Sequence, residues 1–568
     1  MGVPAFFAWL LKKYKKNGFV FRKEKLENET IINEINSIDY FLIDANCLIH
    51  PVCFKVIAEN PNADDMDKLE NKMIQAVLAY LEKIISYVNP VKGFYLAIDG
   101  VAPVAKIKQQ RLRRFKSVAD KLMWDNIKKK HGKPVVSSWN NNAITPGTDF
   151  MVKLHKKILD WIALQSKQVI YSSCFTPAEG EHKLLQFIRN NTDDYSYVIY
   201  GLDADLIFLA LSTNSDKIYL LREANELNKK ESHEVLNYVS IKIMKDSIVS
   251  TIKSYFEAYN ITNVLDTNNM VNDFIFMCYF LGNDFLPHIP SLDISHSGIE
   301  MLIMKYVETI TELIVGVNQK VSYLLNNNSI NTNFLSIFLN KLASMEEAIL
   351  RDNYSMKKYR PKCDSSDPYD IEMHKIDNLQ FKITDPIKLG SDTMELWRVR
   401  YYNYHWGVEA DELESFSKKL VYHYMMGINW VTLYYFDKCP SWEWYYPFEY
   451  PPFISDIAKY HSGTSFLFNL GKPLKPFMQL LAVFPPQSIS LIPKSMRKLI
   501  TDARSSMAFM YPLEFNQDFI NKHKHWMGIP VLPPLDLELI KHSYNKYKDE
   551  LTPEEISRNI IMEIYKNN

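Results

Sequence analysis

Apolar and polar positions over residues 1–300 alternate between short apolar runs and longer stretches of helical periodicity. Tyr40–Asp44, Phe94–Asp99, Gln168–Ser172, Tyr197–Tyr200 and Lys217–Leu221 are nearly continuous apolar runs, the pattern of strands covered on both faces. Between them, Lys68–Val88, Lys106–Ser117 and Val152–Leu164 carry helical patterns. Strands alternating with helices predict an α/β domain. The texture changes near Asn326. NNNSINTN and RPKCDSSDPYD are polar and turn-rich, and they bracket a helical piece at Phe334–Arg351. From about Ser391 a second ordered region is rich in aromatics and proline, as in CPSWEWYYPFEYPPF, Cys439–Phe453. The pattern divides the chain into an α/β domain over residues 1–315, a linker or variable helical insertion over 316–390, and a second region over 391–568.

Composition narrows the class. At 568 residues the chain exceeds one ordinary core and predicts two or three folded regions. With 47% apolar and 23% charged residues it reads as globular rather than disordered. No apolar run spans a bilayer, no signal-peptide layout opens the chain, and Phe6 stands where myristoylation wants Ser or Thr. A soluble, intracellular protein is expected. Six cysteines with no CxxC spacing predict reduced, mostly packed thiols and no zinc site. Lys and Arg total 66 and so do Asp and Glu, a balance that argues mildly against a nucleic-acid protein. The charge is unevenly spread, however, and its placement matters more than its sum.

Asp44 closes YFLID, Asp99 closes GFYLAID, and Asp203 and Asp205 follow YVIY directly. In an open α/β sheet, ligands bind outside the carboxyl ends of the strands, so parallel strands would gather these four acids at one edge. Glu179 and Glu181 lie in TPAEGEH after QVIYS, and Asp284 lies in the GNDFLPH turn. Seven carboxylates at close range cannot all ionise without a cation. Oxygen-only donors favour Mg2+ or Mn2+ over zinc, and two ions would suit a phosphodiester displacement. Each acid alone has a bland explanation, since Asp is common at strand ends. Thr176-Pro177-Ala178-Glu179 also reads as a capping box with proline at the first helical position, and Asp273 reads as a helix-start residue rather than a ligand. The joint pattern is harder to dismiss.

Directly after Asp99, the stretch from Lys106 to Lys116 holds six basic residues and no acid. On a helix, Lys106, Gln110 and Arg113 share one face with Arg114 beside them. Like charges so placed want an anion, and arginine forks suit phosphate. A solvated basic helix is the alternative. His50 in NCLIHP, and Trp442 and Trp444 in PSWEWYY, are packing residues by default and base-stacking surfaces only if they face a channel.

These residues resemble a known family. MGVPAFFAWL, IDANCLIHP, AIDGVAPVAKIKQQRLRRF, ITPGTDFM, PAEGEHKLLQFIR, YGLDADLIFLAL and FLGNDFLPHIPSL, with WRVRYYNYHWG, CPSWEWYYPFEYPPFISD and LIPKSMRKLI further on, are similar to the Xrn-type 5′→3′ exoribonucleases over nearly the whole chain. The resemblance implies a PIN- or flap-nuclease-like central sheet flanked by helices, with a second, aromatic-rich and mostly helical region enclosing the site. It implies processive, Mg2+-dependent removal of nucleotides from 5′-monophosphorylated RNA. It assigns Asp44, Asp99, Glu179, Glu181, Asp203, Asp205 and Asp284 to the metal ions, and Lys106, Gln110, Arg113 and Arg114 to the terminal phosphate. Lys106 is also expected to neutralise charge in the transition state. His50 and one of Trp442 or Trp444 would stack on a base, and the MGVP segment would lie near the entrance.

Departures are Val104, where the family has a basic residue, and Ala178, where it has glycine. The chain resembles a minimal form without the long C-terminal extension. MGVPA, LIHP and CPSW lean to the nuclear branch and Asp149 to the cytoplasmic one, so either compartment fits. Decapping or pyrophosphatase enzymes are candidate partners, and a monomer is expected. The alternatives are a flap-type 5′ DNA nuclease and an inactive RNA-binding scaffold.

Overall fold

Strands β1 (Val20–Phe21), β2 (Tyr40–Asp44), β3 (Gly93–Ala97), β4 (Gln168–Ser172), β5 (Tyr197–Tyr200), β6 (Ile218–Glu223) and β7 (Leu236–Ser240) form the framework in this computed structural model. It describes residues 6–61, 63–135, 139–223, 235–259, 265–316, 321–356, 361–381, 383–462 and 466–567. The chain forms two units. The first comprises residues 1–37, 185–358 and 386–471, and the second comprises 38–184, 359–385 and 472–568. Each unit has its own core.

In the second unit β2, β3 and β4 run parallel, with Asp44 opposite Ala97 and Ala97 opposite Ser172. The three strands therefore end at one level. The chain leaving each of them passes the carboxyl edge, where α/β folds place their ligands. A short strand, Tyr565–Lys566, pairs antiparallel with β4. Every residue of β3 is buried, as the continuous apolar run requires of a strand covered on both faces. The Met66–Val88 helix buries Leu69, Met73, Val77, Leu81, Ile84 and Val88 along one stripe. The basic helix runs from Val104 to Lys130, well past the expected end at Ser117, because no glycine or proline interrupts it before Gly132.

In the first unit β5 and β6 are parallel, β7 is antiparallel to β6, and β1 is antiparallel to β7. An aromatic-rich helical region accompanies this sheet: Met394–Trp406, Leu413–Phe436 and Ile454–Tyr460. Trp397, Trp430, Tyr402, Tyr424 and Tyr434 are fully buried within it. Buried Glu346, on the Thr332–Met356 helix, accepts from the backbone N–H groups of Ile454 and Ser455 at 2.8 and 2.9 Å and from the Ser291 hydroxyl at 3.2 Å. Asp456 accepts from the Tyr402 hydroxyl at 2.6 Å and pairs with Arg398. Among the described residues no helix is long and apolar enough to cross a membrane. All six cysteines are free thiols, and burial pushes those of Cys53 and Cys174 up to about 12.

Asp273 is not a helix-start residue. The Thr267–Cys278 helix is capped by Asp266, whose side chain accepts from the Asn269 N–H. Asp273 lies in the helix interior, fully buried, and accepts from the N–H groups of Leu324 and Leu325 and the hydroxyl of Tyr306, each at 2.8 Å. Burial raises its carboxyl to about 7 against the opposing pull of these three donors. A carboxyl raised above its unfolded value adds stability that is present in full at acid pH and is lost as pH rises through about 7. Asp273→Ala should cost about 3 kcal/mol by stranding three donors. The deficit in thermal denaturation should be larger at pH 5 than at pH 8. An equal or smaller deficit at pH 5 would contradict the raised pKa.

Candidate metal centre and anion site

Asp44 is the last residue of β2 and is buried. The Cys47 thiol donates to its Oδ2 at 3.2 Å. Asp99 lies two residues beyond β3, and its N–H donates to Asn46 Oδ1 at 3.1 Å. Its own Oδ1 accepts the Gly180 N–H at 2.7 Å, at the start of the Gly180–Asn190 helix. A helix N-terminus with its dipole toward a carboxylate stabilises the charge. Glu179, Glu181 and His182 are all buried, and one ligand atom of each lies within 4.8 Å of the others. Oxygen donors with one imidazole fit a hard divalent ion, and among the described residues this triad is the one cluster of that kind. His182 was not among the expected ligands.

The backbone explains how the acids come so close. The Gly100 N–H donates to the Ala178 carbonyl and the Ala178 N–H to the Val101 carbonyl, both at 2.9 Å, tying the segment after Asp99 to the segment before Glu179. Gly180 packs against Asp44 so closely that a Cβ there would sit 2.6 Å from Oδ1. The expected capping box is absent. Ala178 has φ 97° and the helix begins at Gly180, so Thr176–Glu179 is not a first helical turn. A positive φ is costly for alanine and free for glycine, which is the physical sense of the family's glycine at this position.

Cations flank the acids. Lys106, in the first turn of the basic helix, forms an ion pair with Glu179. Lys183 is buried, and its Nζ donates to the carbonyls of Ile98 at 2.6 Å and Ser173 at 3.0 Å. Burial pushes this ammonium down to about 7, while Asp99, Cys174 and Asp44 pull it the other way. Arg114 donates to Thr145 Oγ1 at 2.6 Å and packs over the Phe484 ring at 5.2 Å. Burial and the charge of Arg113 lower it to about 9, opposed by Asp99. Arg113 is exposed, and Gln110 is buried with no hydrogen-bond partner on its amide oxygen. Turning that amide over would present its NH2 instead. His50 is lowered to about 4, first by burial and then by Arg113 and Arg114, so it is neutral at physiological pH. Two other cations of the run are structural. Arg111 donates to the carbonyls of Ala482 and Met510 and stacks on Phe115, while Lys116 reaches Gln517 and Asp120.

The second unit therefore brings together Asp44, Asp99, Glu179, Glu181 and Lys106, with Arg114 and His50 in the same electrostatic neighbourhood. Asp203, Asp205 and Asp284 belong to the first unit. Asp203 is exposed after β5, and Asp205 is buried as the first residue of the Asp205–Ser212 helix. Asp284 is half-buried in a turn organised by Asn283, whose Oδ1 accepts from the N–H groups of Phe285 and Leu286 at 2.9 Å. Trp444 stacks on Trp430, with ring centroids 5.3 Å apart. Trp442 is half-buried and stacks on no ring among the described residues. Met1–Pro4, the segment expected near an entrance, lies outside the described residues.

A buried acidic cluster able to hold a divalent ion, at the carboxyl edge of a parallel sheet and beside a basic helix, is the kind of site a metal-dependent nuclease uses. Residues 1–224 match the family model described as XRN 5'-3' exonuclease N-terminus, and residues 264–377 and 362–565 match the Xrn1 helical domain. The chain belongs to the Xrn family of 5′→3′ exoribonucleases. It is 28% identical to 5'-3' exoribonuclease 2 of Debaryomyces hansenii and 29% identical to that of Gallus gallus, each alignment covering 99% of this chain and 71% of the relative. It is 30% identical to human 5'-3' exoribonuclease 1, over 98% of this chain and 35% of that protein. The catalytic core of Rad2 in complex with DNA substrate overlaps 73% of this chain and 97% of its own, at 13% identity and a TM-score of 0.31, too slight a likeness to decide topology or chemistry.

Two glycine–alanine exchanges test this geometry. Gly180→Ala should weaken Mn2+ binding at least about tenfold, the scale of loss when a metal site's supporting shell is displaced. Ala178→Gly should raise stability by about 1 kcal/mol by releasing the positive φ. Calorimetric Mn2+ titration and thermal denaturation of the two variants read these effects, and a stable Ala178→Gly variant with a lowered melting temperature would contradict the strain.

Proposed function

We propose that this protein is a processive 5′→3′ exoribonuclease that degrades 5′-monophosphorylated single-stranded RNA to mononucleotides with two divalent ions, Mg2+ or Mn2+. The observation that carries this reading is the Lys106–Glu179 ion pair, which joins the acid cluster to the first turn of the basic helix. Groups suited to metal and groups suited to phosphate thereby share one wall. When bound, the ions supply Lewis-acid stabilisation of the phosphodiester displacement.

Asp44, Asp99, Glu179 and Glu181 hold them, and the family resemblance assigns the same role to Asp203, Asp205 and Asp284. Lys106, Gln110, Arg113 and Arg114 bind the terminal phosphate, the guanidinium forks setting its orientation. Capped and triphosphate ends are excluded by size. Lys106 also neutralises charge that develops on the reacting phosphate. His50, held neutral, offers a flat face for a base without adding a cation. Trp442 is the aromatic partner rather than Trp444, whose ring is already occupied by Trp430.

Matched RNAs bearing a 5′-monophosphate, a 5′-hydroxyl or a cap, incubated with protein and Mg2+, test the reading. Only the monophosphate substrate should decay rapidly, and EDTA should stop the reaction. Equal decay of all three would discredit the phosphate pocket, and faster cleavage of flap DNA would favour the DNA nuclease. Asp205→Ala should abolish decay, and undiminished activity would contradict its assignment to the metal. Trp442→Ala should slow decay with little change in melting temperature. Trp444→Ala, by opening a cavity beside Trp430, should destabilise the protein by about 3 kcal/mol.

A further inference from the structure

We propose that Lys183 is a positioning residue for the metal-binding acids, bracing the segments on which Asp99, Glu179 and Glu181 are carried. The inference rests on the metal-dependent reading above. The last ladder bond between the two strands here runs from the Ile98 N–H to the Ser172 carbonyl at 2.9 Å. One residue further on, the Lys183 ammonium takes over, donating to the Ile98 carbonyl at 2.6 Å and the Ser173 carbonyl at 3.0 Å. Ile98 immediately precedes Asp99, and Ser173 opens the segment that leads to Glu179 and Glu181.

Lys183 itself belongs to the helix that carries Glu181 and whose Gly180 N–H donates to Asp99. Three acid-bearing segments thus converge on one buried cation. An ammonium is an expensive way to fill buried space, since a methionine of similar length would pack there without a charge to desolvate. The two carbonyls lie beyond the regular ladder, and a rigid bridge between them fixes the spacing of the ligand-bearing segments to the tolerance that a metal site requires.

The test is direct Mn2+ binding in the absence of RNA, followed by electron paramagnetic resonance, on the full chain and on Lys183→Met and Lys183→Gln. Charge alone predicts that removing a cation beside acids tightens Mn2+ binding. Loss of the brace predicts the opposite sign. Lys183→Met should bind Mn2+ at least about tenfold more weakly, and Lys183→Gln, which keeps a donor for one carbonyl, should fall between it and the parent. In RNA decay assays kcat should drop while KM holds, because the phosphate-binding helix is untouched. Unchanged or tighter Mn2+ binding in a Lys183→Met protein that is folded by circular dichroism overturns the proposal. If neither variant folds, Lys183 is a general core brace and the proposal also fails. A parent protein that binds no Mn2+ would instead remove the metal-dependent reading on which the inference rests.

Discussion

Burying negative charge is the constraint on which the second unit depends. Asp44, Glu179 and Glu181 are almost wholly removed from water, and Asp99 is held against the same helix terminus. Carboxylates in such a setting either take up protons or find positive partners. The fold supplies those partners locally: the Lys106 ammonium on Glu179, the N-terminal amide of Gly180 on Asp99, and Lys183 in the field of Asp99 and Asp44. The glycine at 180 and the positive φ at Ala178 are further costs of the same arrangement, accepted so that the chain can approach Asp44.

Burial of an acid is not in itself a mark of function. Glu346, Asp456 and Asp273 are as deeply buried as any acid in the molecule. Each is surrounded by donors from its own unit: backbone N–H groups and a hydroxyl for Glu346 and Asp273, an arginine and a tyrosine for Asp456. These acids join helices and loops, and where two come near one another, as Glu346 and Asp456 do, Arg398 and the surrounding donors answer their charge. Glu179, Glu181 and His182 each bring one ligand atom within 4.8 Å of the others. Three ligand atoms close enough to share one ion, not depth, separate the two kinds.

The basic run from Lys106 to Lys116 shows the same division of labour. Its spacing placed Lys106, Gln110 and Arg113 on one face, and the helix Val104–Lys130 keeps that spacing. Yet Arg111 and Lys116, equally basic in the sequence, are turned to carbonyls and amides of residues nearly four hundred positions away and serve packing. Composition counts six cations there, and only long-range partners distinguish their roles. His182 was illegible for a related reason. Helical spacing puts residues one apart on different faces, and His182 comes near Glu179 because Glu179 lies outside the helix, on a strained turn. Trp442 and Trp444 stand two apart in one aromatic segment, and their difference is visible only in the stacking of Trp430 on one of them.

What the sequence by itself determined is local and periodic. The strands ending on Asp44 and Ser172 and beyond Tyr95 follow from continuous apolar runs, the helices from their spacing, and the family from motifs that recur along the chain. Tertiary structure alone decided which of the many charged groups meet. The two units each draw on three separate stretches of chain. The parallel register that aligns Asp44, Ala97 and Ser172 is set by neighbours more than fifty residues apart. A carboxylate's role depends on the charges and donors around it in space, and those distances are fixed by packing rather than by order along the chain.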